Sequence, residues 1–374
     1  MFGGWLADRF GGKWLFGGGI LGASVLTLLT PTAAYLHLVA VIAVRTLEGL
    51  LEGFVITATY ALLSRWTPTS QTTRAGTMVY SGEYCGYIIA MLLAGFLSDH
   101  GFAGGWPSVF YVFGTVGCVW SAAWFLLCHS SPSAHPRISK AEREQLEATT
   151  SINSKEVVDR PKTPWRKIFT SMPLLSCCVG KFANLWCNYT LVNGLPLFFY
   201  DVLGFSMTNN GLMASLPYLA ASGMILIVGQ AADWLRAPGR LSTTTVRKIF
   251  CVCGMVFPSI LFIMAVSIGC DRAPVVLVMI AAMACQICAW ASLSVNPLDL
   301  SASHAATLFG ITNSIGTLGS IVAPLVIGEL TYRPSTITQW RKVFYIAVGV
   351  QCVGAIVYLM FGSGEPQKWQ DDAK

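Results

Sequence analysis

The sequence predicts an all-α protein that crosses a membrane many times, with its helices arranged as two related halves. Three observations carry this. Apolar residues make up 54% of the 374 positions and charged residues only 11%, against about 25% charged in ordinary soluble domains. The mean hydropathy is +0.60, and the apolar residues come in runs of about 20, the length that crosses a hydrocarbon core. Two short polar loops, "GGWLADRFGGK" at 3–13 and "GQAADWLR" at 229–236, resemble one another, and a repeated loop marks a repeated half.

Taken in order, the spans run over roughly 14–30, 36–63, 76–98, 106–128, 171–200, 208–231, 247–269, 274–295, 303–328 and 341–361. The polar stretch 129–170 separates the fourth from the fifth. Within it Ser139 and Glu142 have the spacing of a capping box, which predicts a short surface helix over 140–149. Pro196, Pro217, Pro258 and Pro324, with glycines at 310, 316, 319 and 328, suit bent and closely packed membrane helices.

The net charge of +6 is not a nucleic-acid footprint, because its sources alternate from loop to loop. With 129–170 placed in the cytosol, 18 of the 24 Lys and Arg residues fall on that side, as the positive-inside rule requires. Only Arg272, Arg333, Arg341 and Lys342 fall opposite, and Arg45 and Lys181 lie within the membrane. Most of the twelve cysteines lie inside spans and read as small buried hydrophobes rather than as a disulfide or metal framework. No nucleophile–base or metal constellation is visible, so neither an enzyme nor a bound cofactor or metal is expected.

The second span carries "RTLEGLLEG" at 45–53. A charge at bilayer depth costs about 2.5–3.5 kcal/mol on insertion scales, so Arg45, Glu48 and Glu52 need compensation or a use. Their i, i+3, i+7 spacing puts them on one helix face, over about 10 Å of the axis. They read either as an ion pair that fixes the helix among its neighbours or as part of an ion or substrate pathway. Arginine offers a two-pronged fork for a carboxylate or phosphate. A glutamate offers a proton site whose affinity changes with its surroundings. In the fifth span, Lys181 and Asn184 stand one turn apart, with Phe182, Trp186 and Tyr189 around them. The aromatic residues read equally as core packing or substrate lining. Lys181 reads as a second cationic contact or as a residue reaching for the interface. Glu83 is its counter-ion or a further proton site.

Four spans follow Asp233 and four follow Asp8 before the long loop, while two precede Asp233 after that loop. If the halves are repeats, the expected whole has six plus six spans, with the first span and most of the second lying before residue 1. The expected organisation is then an incomplete amino-terminal helical half at 1–128, a cytosolic loop at 129–170, a six-helix half at 171–361 and a cytosolic tail at 362–374.

The loop "GWLADRFGGK" resembles the signature of the major facilitator superfamily. "RTLEGLLEG", "KTPWRKIFTSMP" (162–173), "LSTTTVRKIF" (241–250), "NPLDLSASHAATLFGITN" (296–313) and "GSGEPQKW" (362–369) resemble its anion-transporting branch, which contains sialin, the vesicular glutamate transporters and the sodium–phosphate cotransporters. The charged triplet at 45, 48 and 52 is most similar to sialin. The vesicular glutamate transporters tend to place a glutamine at Glu48 and an arginine at Asn184. Thr57, Tyr60, Glu83, Lys181 and Pro297 also depart from the family pattern.

The resemblance implies a major facilitator fold and a secondary transporter of small organic anions, such as acidic sugars or acidic amino acids, working by alternating access with proton coupling. The other transport readings are sodium-dependent phosphate or organic anion cotransport and vesicular glutamate transport. It implies substrate contacts from Arg45, Lys181, Asn184, Trp186, Tyr189 and Asn313, and proton coupling at Glu48 and Glu52. Gly4, Asp8, Arg9, Gly11, Lys13, Asp233 and Arg236 would form the cytosolic gate. A monomer in a lysosomal, vesicular or plasma membrane follows, with a small anion and the lipid bilayer as its partners. A channel or heptahelical receptor fits less well, since neither architecture requires the repeated loop.

Overall fold

The computed structural model describes residues 12–66, 72–129, 136, 138–139, 165–236, 240–269, 271–301, 305–332 and 335–367. The helix expected at 140–149 and the gate residues Gly4, Asp8, Arg9 and Gly11 lie outside them. All regular structure among the described residues is helical. The long helices are α1 (Gly12–Leu36), α2 (Leu38–Trp66), α3 (Thr72–His100), α4 (Trp106–Leu127), α6 (Met172–Asp201), α7 (Met207–Leu235), α12 (Ala305–Thr331) and α13 (Ile337–Phe361), with the single turn α5 (Trp165–Phe169) before α6. Two further spans are interrupted. α8 (Thr243–Cys251) runs through a π-helical turn, Val252–Val256, into α9 (Phe257–Ile268). α10 (Arg272–Gln286) is followed by a second π turn, Trp290–Ser294, and by the short α11 (Asn296–Leu300).

Each of the ten expected spans therefore coincides with a helix or an interrupted helix. Seven are long and apolar enough to cross a membrane by length and composition. The other three, α2, α3 and α6, each carry charged residues within the helix, and α2 and α6 hold the intramembrane Arg45 and Lys181. Large apolar side chains such as Val116, Val119, Leu126, Ile227 and Leu277 are exposed around the helices. That would be a liability in water and is the expected surface in lipid.

The chain divides into two compact units, residues 1–83 with 96–160 and residues 84–95 with 161–374. In the first, α1 packs on both α2 and α4, and glycine makes this possible. A Cβ on Gly19 would meet Val55 Cγ2 at 2.8 Å, and one on Gly114 would meet Leu28 Cγ at 2.6 Å. Close backbone approach through small residues is how membrane helices gain packing energy without a hydrophobic drive.

In the second unit α6 lies against α12 and α13, while α9 packs on α10 and α13. Gly319 of α12 approaches the Phe182 carbonyl so closely that a Cβ would lie 2.4 Å from it. Gly254, in the first π turn, leaves no room against the backbone of Ala289, whose N would lie 2.0 Å from a Cβ. Phe198, Trp340 and Phe344 form an aromatic centre, with Phe198 edge-on to the other two at 5.4 and 5.5 Å. The segment after α13 turns back beneath the unit. Gly364 N donates to Thr244 Oγ1 at 2.9 Å, Ser363 O accepts from Asn296 Nδ2 at 2.8 Å, and Gln367 N donates to Leu300 O at 3.0 Å. All eleven described cysteines are free thiols.

Candidate functional site

Each unit holds its own group of intramembrane charges. In the first, Arg45 Nη1 donates to Glu48 Oε2 at 2.8 Å, the contact that their i, i+3 spacing allows. The other carboxylate oxygen, Oε1, accepts from Thr27 Oγ1 of α1 at 2.6 Å. Glu48 is thus buried with both oxygens occupied, which compensates its charge at bilayer depth. The Arg45 side chain is 43% exposed, and its guanidinium lies 5.0 Å from the ring centroid of Phe110 on α4. One nitrogen of the fork is held by Glu48 and the ring supports the plane, so the remaining donors are presented in a fixed direction.

Glu52, one turn further on, is differently placed. It is exposed and lines a cavity of about 400 Å³ between α1 and α2, together with Ser24, Thr27 and Val55. The three charges share one helix yet have three environments. Glu48 is enclosed, Arg45 is half-open and Glu52 faces a cavity.

In the second unit Lys181 is 6% exposed. Its ammonium donates to Ser294 Oγ at 2.5 Å and lies 5.9 Å from the Phe309 ring centroid. It does not reach an interface. Asn184 sits one turn along α6, where its carbonyl accepts from Gln286 Nε2 at 3.3 Å. Its own amide nitrogen is buried without a partner among the described residues. Trp186 packs with Ala323 and Ala347, so its ring belongs to the contact of α6 with α12 and α13 rather than to an open surface. Tyr189 and Asn313 are exposed.

Of the expected gate residues, Lys13 opens α1, where its carbonyl accepts from Trp124 Nε1 at 3.1 Å. Asp233 is exposed at the end of α7. Arg236 finds its partner in Asp299, at 3.7 Å. Asp299 also takes a two-pronged contact from Arg247, at 2.6 and 3.2 Å, and Arg247 Nη1 donates to the Ala291 carbonyl at 2.5 Å. Arg247 is 2% exposed. A carboxylate between two guanidinium groups, with the inner one fully enclosed, locks α7, α8 and α11 together at one end of the unit.

The sequence reading missed Thr27, Ser294, Arg247 and Asp299 as partners of these charges. Arg247 is one of the 18 basic residues assigned to the cytosolic side, and Asp299 lies within the motif quoted at 296–313. Charge balance at that end points to Asp233 as much as to Asp299, and only the fold separates the two.

A family model described as the Major Facilitator Superfamily matches residues 1–324. Human sialin is 38% identical over 368 residues, covering 98% of this chain and 73% of sialin. The chain belongs to the Major Facilitator Superfamily. Within it the chain falls in the branch of sialin and the vesicular glutamate transporters. Human vesicular glutamate transporter 2 is 38% identical over 371 residues, covering 99% of this chain, and zebrafish vesicular glutamate transporter 3 matches at the same identity. Overall identity therefore does not separate the two kinds of relative. The chain spans 62–63% of the length of these glutamate transporters. These relatives are transporters, not enzymes, and the chain is a multi-pass integral membrane protein.

Solved structures agree on the fold. A bacterial homologue of the human lysosomal transporter Spinster matches at a TM-score of 0.74 and 13% identity, covering 96% of this chain and 84% of its own. A proton:xylose symporter matches at 0.68 and 12%, covering 99% of this chain and 85% of its own.

Proposed function

We propose that the protein is a secondary transporter of small organic anions, driven by protons through alternating access, in a lysosomal or vesicular membrane. The observation that carries this is the state of Arg45. It is a permanent cation at bilayer depth, aimed by Glu48, Thr27 and Phe110, with part of its fork open. A buried structural ion pair would enclose both partners, whereas here only the carboxylate is enclosed. A carboxylate substrate completes the fork with charge-assisted hydrogen bonds.

Glu52 is then the proton site. It lines a largely apolar cavity about two turns from the arginine, where access to water and distance from the cation govern whether it holds a proton. Glu48 serves instead to position Arg45, since both its oxygens are occupied. The monomeric state and the choice of acidic sugar or acidic amino acid belong to the same proposal. The protein-bound chemistry needs no cofactor, the coupling ion being H⁺.

Uptake of labelled sialic acid, glutamate and phosphate into proteoliposomes, with and without an imposed proton gradient, tests the reading. We expect an organic acid to accumulate only with the gradient. In Glu52→Gln, accumulation should be lost while exchange of substrate across the membrane persists. Gradient-driven accumulation that survives in Glu52→Gln removes the proton role. Uptake of phosphate alone, driven by sodium, replaces the whole reading by the cotransporter alternative.

A further inference from the structure

The side of α8 turned away from Asp299 has no part in the transport reading. On it and on the π turn that continues it, Thr245, Lys248, Ile249, Val252 and Cys253 stand at i, i+3, i+4, i+7 and i+8, so they form one stripe. With Leu359 of α13 they line a groove of about 330 Å³. The chemistry changes along its length. Thr245 and Lys248 stand at the end that the charge asymmetry assigns to the cytosol, and the four apolar residues continue from there towards the bilayer interior. At 1.5 Å per residue the stripe covers about 12 Å. Beyond it Phe257, Ile260 and Met264 of α9 and Ile356 of α13 are exposed, so the groove opens onto an apolar surface.

Two adjacent basic residues have opposite fates here. Arg247 is enclosed and taken by Asp299, while Lys248 is partly exposed and has no ion pair among the described residues. The hydroxyl-bearing Thr245 beside it is exposed. Ser242 Oγ accepts from Thr245 N at 3.2 Å and stands 2.9 Å from Thr245 Oγ1. Either hydroxyl can donate in that contact, and with the serine as donor the threonine's own proton turns to an outside acceptor.

We propose that this groove binds an anionic phospholipid of the cytosolic leaflet, with its phosphate on Lys248 Nζ and Thr245 Oγ1. The first carbons of an acyl chain lie against Ile249, Val252, Cys253 and Leu359. Charge and polarity together select this occupant. A cation beside a hydroxyl at the interface suits a phosphate, and a soluble anion has no use for the apolar slot that leads inward from it. A lipid without net charge gains less from the lysine.

Native mass spectrometry of the full-length protein, released from vesicles of phosphatidylcholine mixed with phosphatidylserine, reads the retained lipid without reference to transport. The result is therefore independent of the proposed function. We expect phosphatidylserine to be enriched on the wild-type protein. Lys248→Gln should lose about fivefold of that enrichment, the contribution of one basic residue near an anionic surface, and Lys248→Arg should restore it. Val252→Trp, which fills the slot and leaves the charge, should also lose it. Equal retention of the two lipids by the wild type, unchanged enrichment in Lys248→Gln, or displacement of the lipid by inorganic phosphate would each overturn the proposal. Because both lysine variants alter a partly exposed side chain, they decide the matter even where Val252→Trp does not fold.

Discussion

The two units pack their helices alike and treat their charges differently. In the first, α1 lies against α2 and α4; in the second, α9 lies against α10 and α13. Yet the arginine of the first unit is 43% exposed, and Arg247 of the second is 2% exposed against Asp299. The same kind of pair, a guanidinium on a carboxylate, is open in one case and closed in the other. An enclosed pair has little left to offer a ligand and serves to hold helices together. A half-open pair is a poor clamp, because solvent weakens it, but it keeps donors available. The difference lies in what surrounds each arginine: the Phe110 ring lies over Arg45, whose side chain stays 43% exposed, whereas a carbonyl and a carboxylate from neighbouring segments enclose Arg247.

This contrast is open to test, beginning with the largest effect. Asp299→Asn leaves Arg247 buried without its counter-charge, which costs about 3–5 kcal/mol, and thermal melting in detergent should report a large loss for the second unit. Replacing Arg247 by Met in the same chain should recover part of it. A melting temperature untouched by Asp299→Asn would mean that the pair is not closed in the membrane.

Next comes Gly254→Ala. Its new methyl group would sit on the backbone of Ala289, and backbone cannot step aside as a side chain does. The expected cost is about 3 kcal/mol, the upper end for overpacking, read as a lower melting temperature. Wild-type stability would show that the two π turns can separate freely.

Arg45→Lys keeps the charge and loses the fork. About tenfold weaker apparent substrate affinity is expected, with little change in melting, since a hydrogen bond to a charged group is worth roughly 1.5–3 kcal/mol. Unchanged affinity would make Arg45 structural. The smallest effect is that of Glu48→Gln on stability, about 1 kcal/mol after discounting for the solvent around Arg45. Its effect on substrate affinity should be larger than on melting, because the arginine would lose its aim. The opposite order would place this pair in the closed class.

What could be read beforehand follows from the range of each signal along the chain. The spans were legible because apolar length is a local property, and the Arg45–Glu48 contact because three residues make one helical step. The resemblance of the loops and motifs was enough to name the superfamily that the comparisons bear out. Thr27 was hidden, since a hydroxyl in an apolar helix carries no mark of the partner it will meet 21 residues later. Asp299 and Arg247 are 52 residues apart, and only the fold brings them together. The π turns at 252–256 and 290–294 escaped because no residue type demands one. They shift the helical phase, so the faces of α8 and α9 cannot be counted as one regular period. Trp186 kept two readings until its neighbours Ala323 and Ala347 were placed around it.

The returning segment after α13 has a practical consequence. Its three hydrogen bonds reach Thr244, Asn296 and Leu300, which flank Arg247 and Asp299 in sequence. Residues 362–367 thus act as a splint across the helix ends that carry the closed charge pair. A label, tag or fused domain joined directly after Phe361 would remove the splint, and the resulting loss of stability could be mistaken for a defect in the membrane core. Joined beyond Gln367, the same addition leaves it in place. Slow hydrogen–deuterium exchange at the amides of Gly364 and Gln367, in a stretch that looks like loose tail, would show the splint in place.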